Sequence, residues 1–298
     1  TPGGLAFWGG GVLLYNNQYA SVSNNCMTNV RIGIQTGNFF QANPGGSTYQ
    51  LLDGNTIQAR RRGIFHNLHY GTASPFTLIN NNITGLSDAN ETNWDGILLT
   101  SLSVGSLSQD NIIDGTNLSQ SEGYEVWNVK NTKPAVINGG SVRGVKYGLS
   151  VNNFAGYNSD ATDGAHAIVS KLSVNNCQNG ILIQDDPMSS HALVHALIQD
   201  DCEMINAGTG TGLLITGAKS SVNLNENEAS IHGFTIGVDV DGGTATITNN
   251  HIYENGTGIR VSNGGILNST FGNLINSNST DGIRIEGSAG SIGVINNN

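Results

Sequence analysis

The run Arg60-Arg61-Arg62-Gly63-Ile64-Phe65-His66 gathers three of the twelve Lys and Arg residues of a 298-residue chain. Arg62 precedes a glycine that recurs along the sequence, and the residues at the same place in the following repeats are Asp95, Glu122 and Tyr147. If the repeats stack in register, these side chains form a row with neighbours about 4.8 Å apart. Guanidinium and carboxylate groups in such a row offer directional, charge-assisted hydrogen bonds that suit sugar hydroxyls. The same row also reads as an ion-pair ladder that neutralises adjacent repeats.

Aromatic residues interleave with this row. Trp94 adjoins Asp95, Trp127 follows Glu122 by five positions, and His66, Tyr70 and Tyr157 fall in flanking segments. The flat C–H face of a sugar ring packs on an aromatic face while its rim hydroxyls need polar partners. The alternative is that these rings fill space beneath long loops, and Tyr124, at an inward position, is the best core candidate. The candidate carbohydrate-binding set is therefore Arg62, His66, Tyr70, Trp94, Asp95, Glu122, Trp127 and Tyr157, with Trp94, Trp127, Tyr70 and Tyr157 as stacking surfaces. A catalytic alternative uses Asp95 and Glu122 as a carboxyl pair, since glycoside hydrolysis needs two such groups roughly 5 to 9.5 Å apart.

Other constellations carry less. Asp185-Asp186 reads as a solvated turn, because adjacent side chains of a strand point apart, and Asp200 has a structural explanation in the polar ladder described below. Asp239-Val240-Asp241-Gly242-Gly243 and Asp160-Ala161-Thr162-Asp163-Gly164 offer oxygen ligands, so calcium is conceivable, but neither matches a twelve-residue calcium loop. The histidines show no HExxH spacing. No cofactor is expected.

These residues must be positioned by a repeat. Glycine followed by alternating apolar residues returns at Gly33, Gly63, Gly96, Gly123, Gly148, Gly180, Gly212, Gly237, Gly258 and Gly282, at intervals of 21 to 33 residues. That is the signature of a solenoid. Between the glycine strands lies a polar ladder: Asn24-Asn25-Cys26, Asn55-Thr56-Ile57, Asn81-Asn82-Ile83, Asp110-Asn111-Ile112, Asn175-Asn176-Cys177, Asp200-Asp201-Cys202 and Asn250-His251-Ile252. Stacked amides can satisfy turn backbone along a rod, and the ladder predicts that all three cysteines stand where other repeats use isoleucine. Ile64, Ile97, Leu149, Ile181, Leu213, Val238, Ile259 and Ile283 are expected to form one inward row, with a second row two residues on. Loops at 66–74, 127–134, 152–164 and 184–190 would line a common edge and wall a groove over the middle coils.

Composition agrees with a turn-rich all-β chain: 41 glycines, five prolines and 11% charged residues. A formal charge of −10 works against binding a phosphate backbone, so no nucleic-acid partner is expected. No apolar stretch is long enough to span a bilayer, and Thr1-Pro2-Gly3-Gly4 lacks the features of a signal peptide. Three cysteines make no disulfide framework. The expected architecture is all-β, a single-stranded right-handed parallel β-helix of about ten coils, one domain over residues 1–298, excised from a larger chain whose other domains are its partners.

Glycine strands alternating with Asn-Asn-x-Ile turns resemble the right-handed parallel β-helix repeat superfamily, over essentially the whole chain from Ser21 to Asn298. That superfamily includes pectate lyases, polygalacturonases, alginate epimerases, phage tailspikes, bacterial adhesins and non-catalytic carbohydrate-binding modules. Of the polygalacturonase series Asn-Thr-Asp, Asp-Asp, Gly-His-Gly and Arg-Ile-Lys, only Asp185-Asp186 has a counterpart, and the epimerase Asp-Pro-His-Glu motif is absent, so no catalytic set carries over. The chain is most similar in texture to β-helical modules attached to xylan-degrading enzymes of gut bacteria. The resemblance implies a secreted or cell-surface bacterial protein whose partner is a plant cell-wall polysaccharide such as xylan, bound without catalysis. A polysaccharide lyase or glycoside hydrolase, and a structural adhesin or tailspike segment, are the competing expectations.

Overall fold

A computed structural model describes residues 9–15, 19–37, 49–69, 76–102, 106–127, 134–153, 164–188, 193–287 and 292–296. Among these residues every regular element is a strand, and the named strands pair in parallel, as a solenoid requires. The strands stack in three columns. One column runs from Tyr19–Ser23 through Tyr49–Asp53, Phe76–Ile79, Ser106–Gln109, Ala135–Asn138 and Ala165–Ser170 to Val194–Gln199 and onward. A second contains the short strands Asn82–Gly85, Ile112–Asp114, Ser141–Arg143, Ser173–Asn175 and Glu203–Ile205. The third, the glycine sheet, begins at Gly10–Tyr15 and includes Trp94–Leu102, Ser121–Trp127, Tyr147–Asn152, Asn179–Gln184, Thr211–Thr216, Ile236–Asp241, Thr257–Ser262 and Asp281–Ile285. Cys26–Gly37 and Thr56–His69 each run through the second column into the glycine sheet, with register shifts on the way.

The repeat glycines mark a corner. A Cβ on Gly123 would lie 2.2 Å from Val142 Cγ1 and 2.5 Å from the carbonyl oxygen of Gly148, and one on Gly63 would lie 2.3 Å from Ile83 Cγ2. Only a residue without a side chain lets the second column and the glycine sheet close on each other here. Pairing skips the glycine itself: Glu122 stands opposite Tyr147 and Tyr124 opposite Leu149. The residue before the glycine and the residue two after it consequently turn to the same outer side, although a flat strand would send residues three apart to opposite faces.

Inside, Ile64, Ile97, Leu149, Ile181, Leu213, Val238 and Ile259 are buried as expected, and so are Leu99, Val151, Ile183, Ile215, Val240 and Val261 of the second row. Ile283 is only partly buried and Ile285 is 54% exposed. Their strand pairs on one side with Thr257–Ser262 and has no described strand of the glycine sheet on the other.

The polar ladder holds in part. Asn25 donates to Asn55 Oδ1 at 3.1 Å, Asn55 to Asn81 and Asn81 to Asn111, each at 2.9 Å. Asn250 and Asn273 continue the motif further along, at 3.2 Å. Just before each ladder position a residue adopts the left-handed conformation, among them Asn24, Gly54, Asn80, Asp110, Gly139 and Asp201, which explains the Asn, Asp and Gly found there. The cysteines depart from expectation. Cys26 stands opposite Thr56 and is exposed, because Met27 holds the isoleucine slot. Cys177 and Cys202 are buried free thiols, but Cys202 precedes Glu203, whose neighbour Ser173 stands opposite Ser141, so it occupies the ladder position itself.

Candidate functional site: a carboxyl cleft on the glycine sheet

Register brings the row together. Arg62 stands opposite Asp95, Asp95 opposite Glu122 and Glu122 opposite Tyr147. Arg62 Nε donates to Asp95 Oδ2 at 2.7 Å, and its guanidinium carbon lies 4.4 Å from the centroid of the Phe65 ring. The corner at Gly123 adds Glu125 to the same outer side as Glu122. Arg61, Arg62, Asp95, Glu122, Glu125 and Trp127 line a cleft of about 440 Å³, with Lys146 and Tyr147 at one end.

A second wall comes from Asn90, Glu91, Thr92 and Asn93 of a short excursion, residues 86–93, which leaves the second column before the chain enters Trp94–Leu102. Its carboxylates tie it to the arginine run: Asp88 pairs with Arg60 at 3.3 Å, while Glu91 pairs with Arg31 and, at 3.7 Å, with Arg61. The ion-pair reading of the arginines is thus realised at Asp88, Glu91 and Asp95, and it builds the cleft as well as bracing it.

Beneath that wall the carboxyls are crowded. Burial, followed by the charge of Asp95, pushes the Glu122 carboxyl up to about 8. Burial, then Glu122 and Asp95, raises Glu125 well above the usual carboxylate range. The cleft therefore sets two carboxyls that hold their protons more tightly than usual beside an aspartate in an ion pair with Arg62. Glu122 Oε2 is closed off from solvent and has no hydrogen-bond partner. The Trp127 indole N–H donates to Glu125 Oε1, and the ring packs on an outer apolar cluster of Ile32, Phe65 and Leu98.

Two members of the expected set sit elsewhere. Trp94 is 2% exposed and its indole Nε1 donates to the Ala59 carbonyl at 3.0 Å. It alternates with Asp95, so an outward carboxylate forces the ring inward; it is a core residue with no free face for a sugar. His66 is also fully buried, two positions after inward Ile64, stacked on Phe76 at 4.0 Å and bonded to Thr36 Oγ1. It cannot serve as a surface hydrogen-bonding partner. Tyr70 and Tyr157 lie outside the described residues, as do residues 70–74, 128–133, 154–163 and 189–190 of the expected groove wall.

Tyr124 is core, its hydroxyl 3.0 Å from Ser108 Oγ and, through burial, pushed up to about 12. Asp185 is a buried turn acceptor, taking a hydrogen bond from Asn153 Nδ2 at 2.8 Å, not part of a carboxyl pair. No three His, Cys, Asp or Glu side chains among the described residues are grouped to hold a metal ion. Asp239 is tied to Arg260 at 2.5 Å and Asp241 to Asn263.

Glu91, Glu125 and Lys146 escape a reading by motif. Glu125 was accessible in principle, since it lies two residues after a repeat glycine. Glu91 and Lys146 come from irregular connections whose geometry no periodicity reports.

No family model, curated protein or solved structure matches the chain.

Proposed function

We propose that the chain binds a plant cell-wall polysaccharide, xylan-like in its neutral backbone, in the cleft over Arg62, Asp95, Glu122 and Trp127. The observation that carries this reading is the cleft's composition: fixed guanidinium, ammonium and carboxyl groups surround Trp127, which is partly exposed and locked by its bond to Glu125. Polar groups already ordered by one another lose little entropy on meeting hydroxyls, and an aromatic face supplies the apolar contact a sugar ring needs. A chain with net charge −10 favours a neutral glycan over a polyuronate, although Arg61 and Lys146 would tolerate scattered acidic substituents.

Affinity electrophoresis of the whole chain through gels containing xylan, mannan, glucan or pectin tests the reading. One neutral polysaccharide should retard migration, and a Trp127→Ala, Tyr147→Ala double variant with unchanged circular dichroism should run free. Full retardation of that folded variant would remove the cleft from consideration.

A further inference from the structure

We propose that the cleft also cleaves the glycosidic bond it holds, with Glu122 as proton donor and Asp95 as the carboxylate that attacks the anomeric carbon. This rests on the carbohydrate reading of the same cleft. Three observations carry it. Asp95 and Glu122 are register neighbours on adjacent strands, roughly 4.8 Å apart at the backbone, and both line the cleft; a double displacement uses close carboxyls, ~5 to 5.5 Å apart, rather than the wider spacing that admits a water first. Arg62 holds one Asp95 oxygen and leaves the other oxygen uncommitted to it. Glu122 lines the cleft beside Asp95, so a glycosidic oxygen seated there would lie against its carboxyl.

The steps balance without any further reagent. In the first, Asp95 Oδ forms a bond to the anomeric carbon as the glycosidic C–O bond breaks, and the departing oxygen takes the proton of Glu122. In the second, the Glu122 carboxylate accepts a proton from water while the water oxygen displaces Asp95. One water is consumed, both carboxyl groups return to their starting states, and the anomeric configuration is retained. Glu125 lines the cleft with Glu122 and is anchored by Trp127, which makes it a positioning residue.

The test uses the same polysaccharides in solution, with reducing ends measured over pH 4 to 10. Wild type should release reducing ends from the polysaccharide that retards it, with the rate falling on the alkaline side near pH 8 as Glu122 loses its proton. Glu122→Gln should lose turnover at saturating polysaccharide by about 100-fold or more. Asp95→Ala should be inactive until azide is added, when a glycosyl azide of inverted configuration forms, because azide attacks once from the face Asp95 vacates; a purely structural aspartate would show no such rescue. Retardation of wild type without products overturns the catalytic inference and leaves the binding reading standing. Undiminished turnover by Glu122→Gln overturns the assignment of the proton donor, and the absence of both retardation and products across the panel overturns both proposals.

Discussion

Arg62 Nε and Asp95 Oδ2 lie 2.7 Å apart although their residues are separated by 33 positions in the chain. The contact spans one coil step and links the arginine run to the carboxyl cluster. Both side chains are largely shielded, with relative exposures of 17% and 7%. Breaking such a pair from one side leaves an uncompensated charge, so Arg62→Met should cost on the order of 3 kcal/mol in a denaturant titration. A change near zero would mean that the pair is screened by solvent and contributes no order to the cleft.

Glu122 offers a test that needs no ligand. In the fold its proton is held up to about pH 8, against an ordinary glutamate value of 4.5. Between those values the folded state binds more protons than the unfolded chain, so rising pH favours unfolding. Glu122→Gln removes that dependence. The variant should match wild type near pH 4 and become progressively more stable than wild type towards pH 8, by at most about 1.4 kcal/mol for each pH unit. Thermal melts at several pH values decide it, and parallel pH profiles for the two proteins would refute the buried, proton-bearing carboxyl.

Gly123 should be intolerant of even one methyl group. Its added Cβ would lie 2.2 Å from Val142 Cγ1 and 2.5 Å from the Gly148 carbonyl oxygen. Both neighbours belong to packed strands, so Gly123→Ala should destabilise by about 1 to 3 kcal/mol. It should also disturb the pH profile just described, because the corner sets the approach of Glu122 to Glu125. A stable variant with an unaltered profile would dissociate the corner from the cleft.

The asparagine ladder is graded along its length. Asn81 is buried, receives bonds from the backbone and side chain of Asn55, and donates to Asn111 and to the Leu52 carbonyl. Asn25 is exposed at the end of the run. Asn81→Ala should therefore cost about 3 kcal/mol and Asn25→Ala well under 1 kcal/mol. Equal losses in chemical denaturation would argue against a cooperative ladder.

Much of the molecule could be read from spacing. The glycine interval carried register, and register is enough to align Arg62, Asp95, Glu122 and Tyr147 across three coil steps. Side-chain direction was harder. Trp94 and His66 looked exposed because they adjoin polar residues, yet strict alternation next to outward Asp95 and inward Ile64 sends both rings into the core. Cys26 was misplaced by one residue because a polar doublet does not distinguish the left-handed position from the ladder position that follows it. The wall at 86–93 and Lys146 follow from connections without period, where sequence pattern has nothing to count.

The corner glycine has a consequence for how such a rod can change. Asp281 and Arg284 meet across their own corner at 3.8 Å, as Glu122 and Glu125 converge across theirs. Each of these two turns thus presents a two-seat station on its outer flank, and the occupants of those seats can be exchanged while the interior of the rod is left alone. New chemistry could arise station by station, with an ion pair in one turn and a proton reservoir in another.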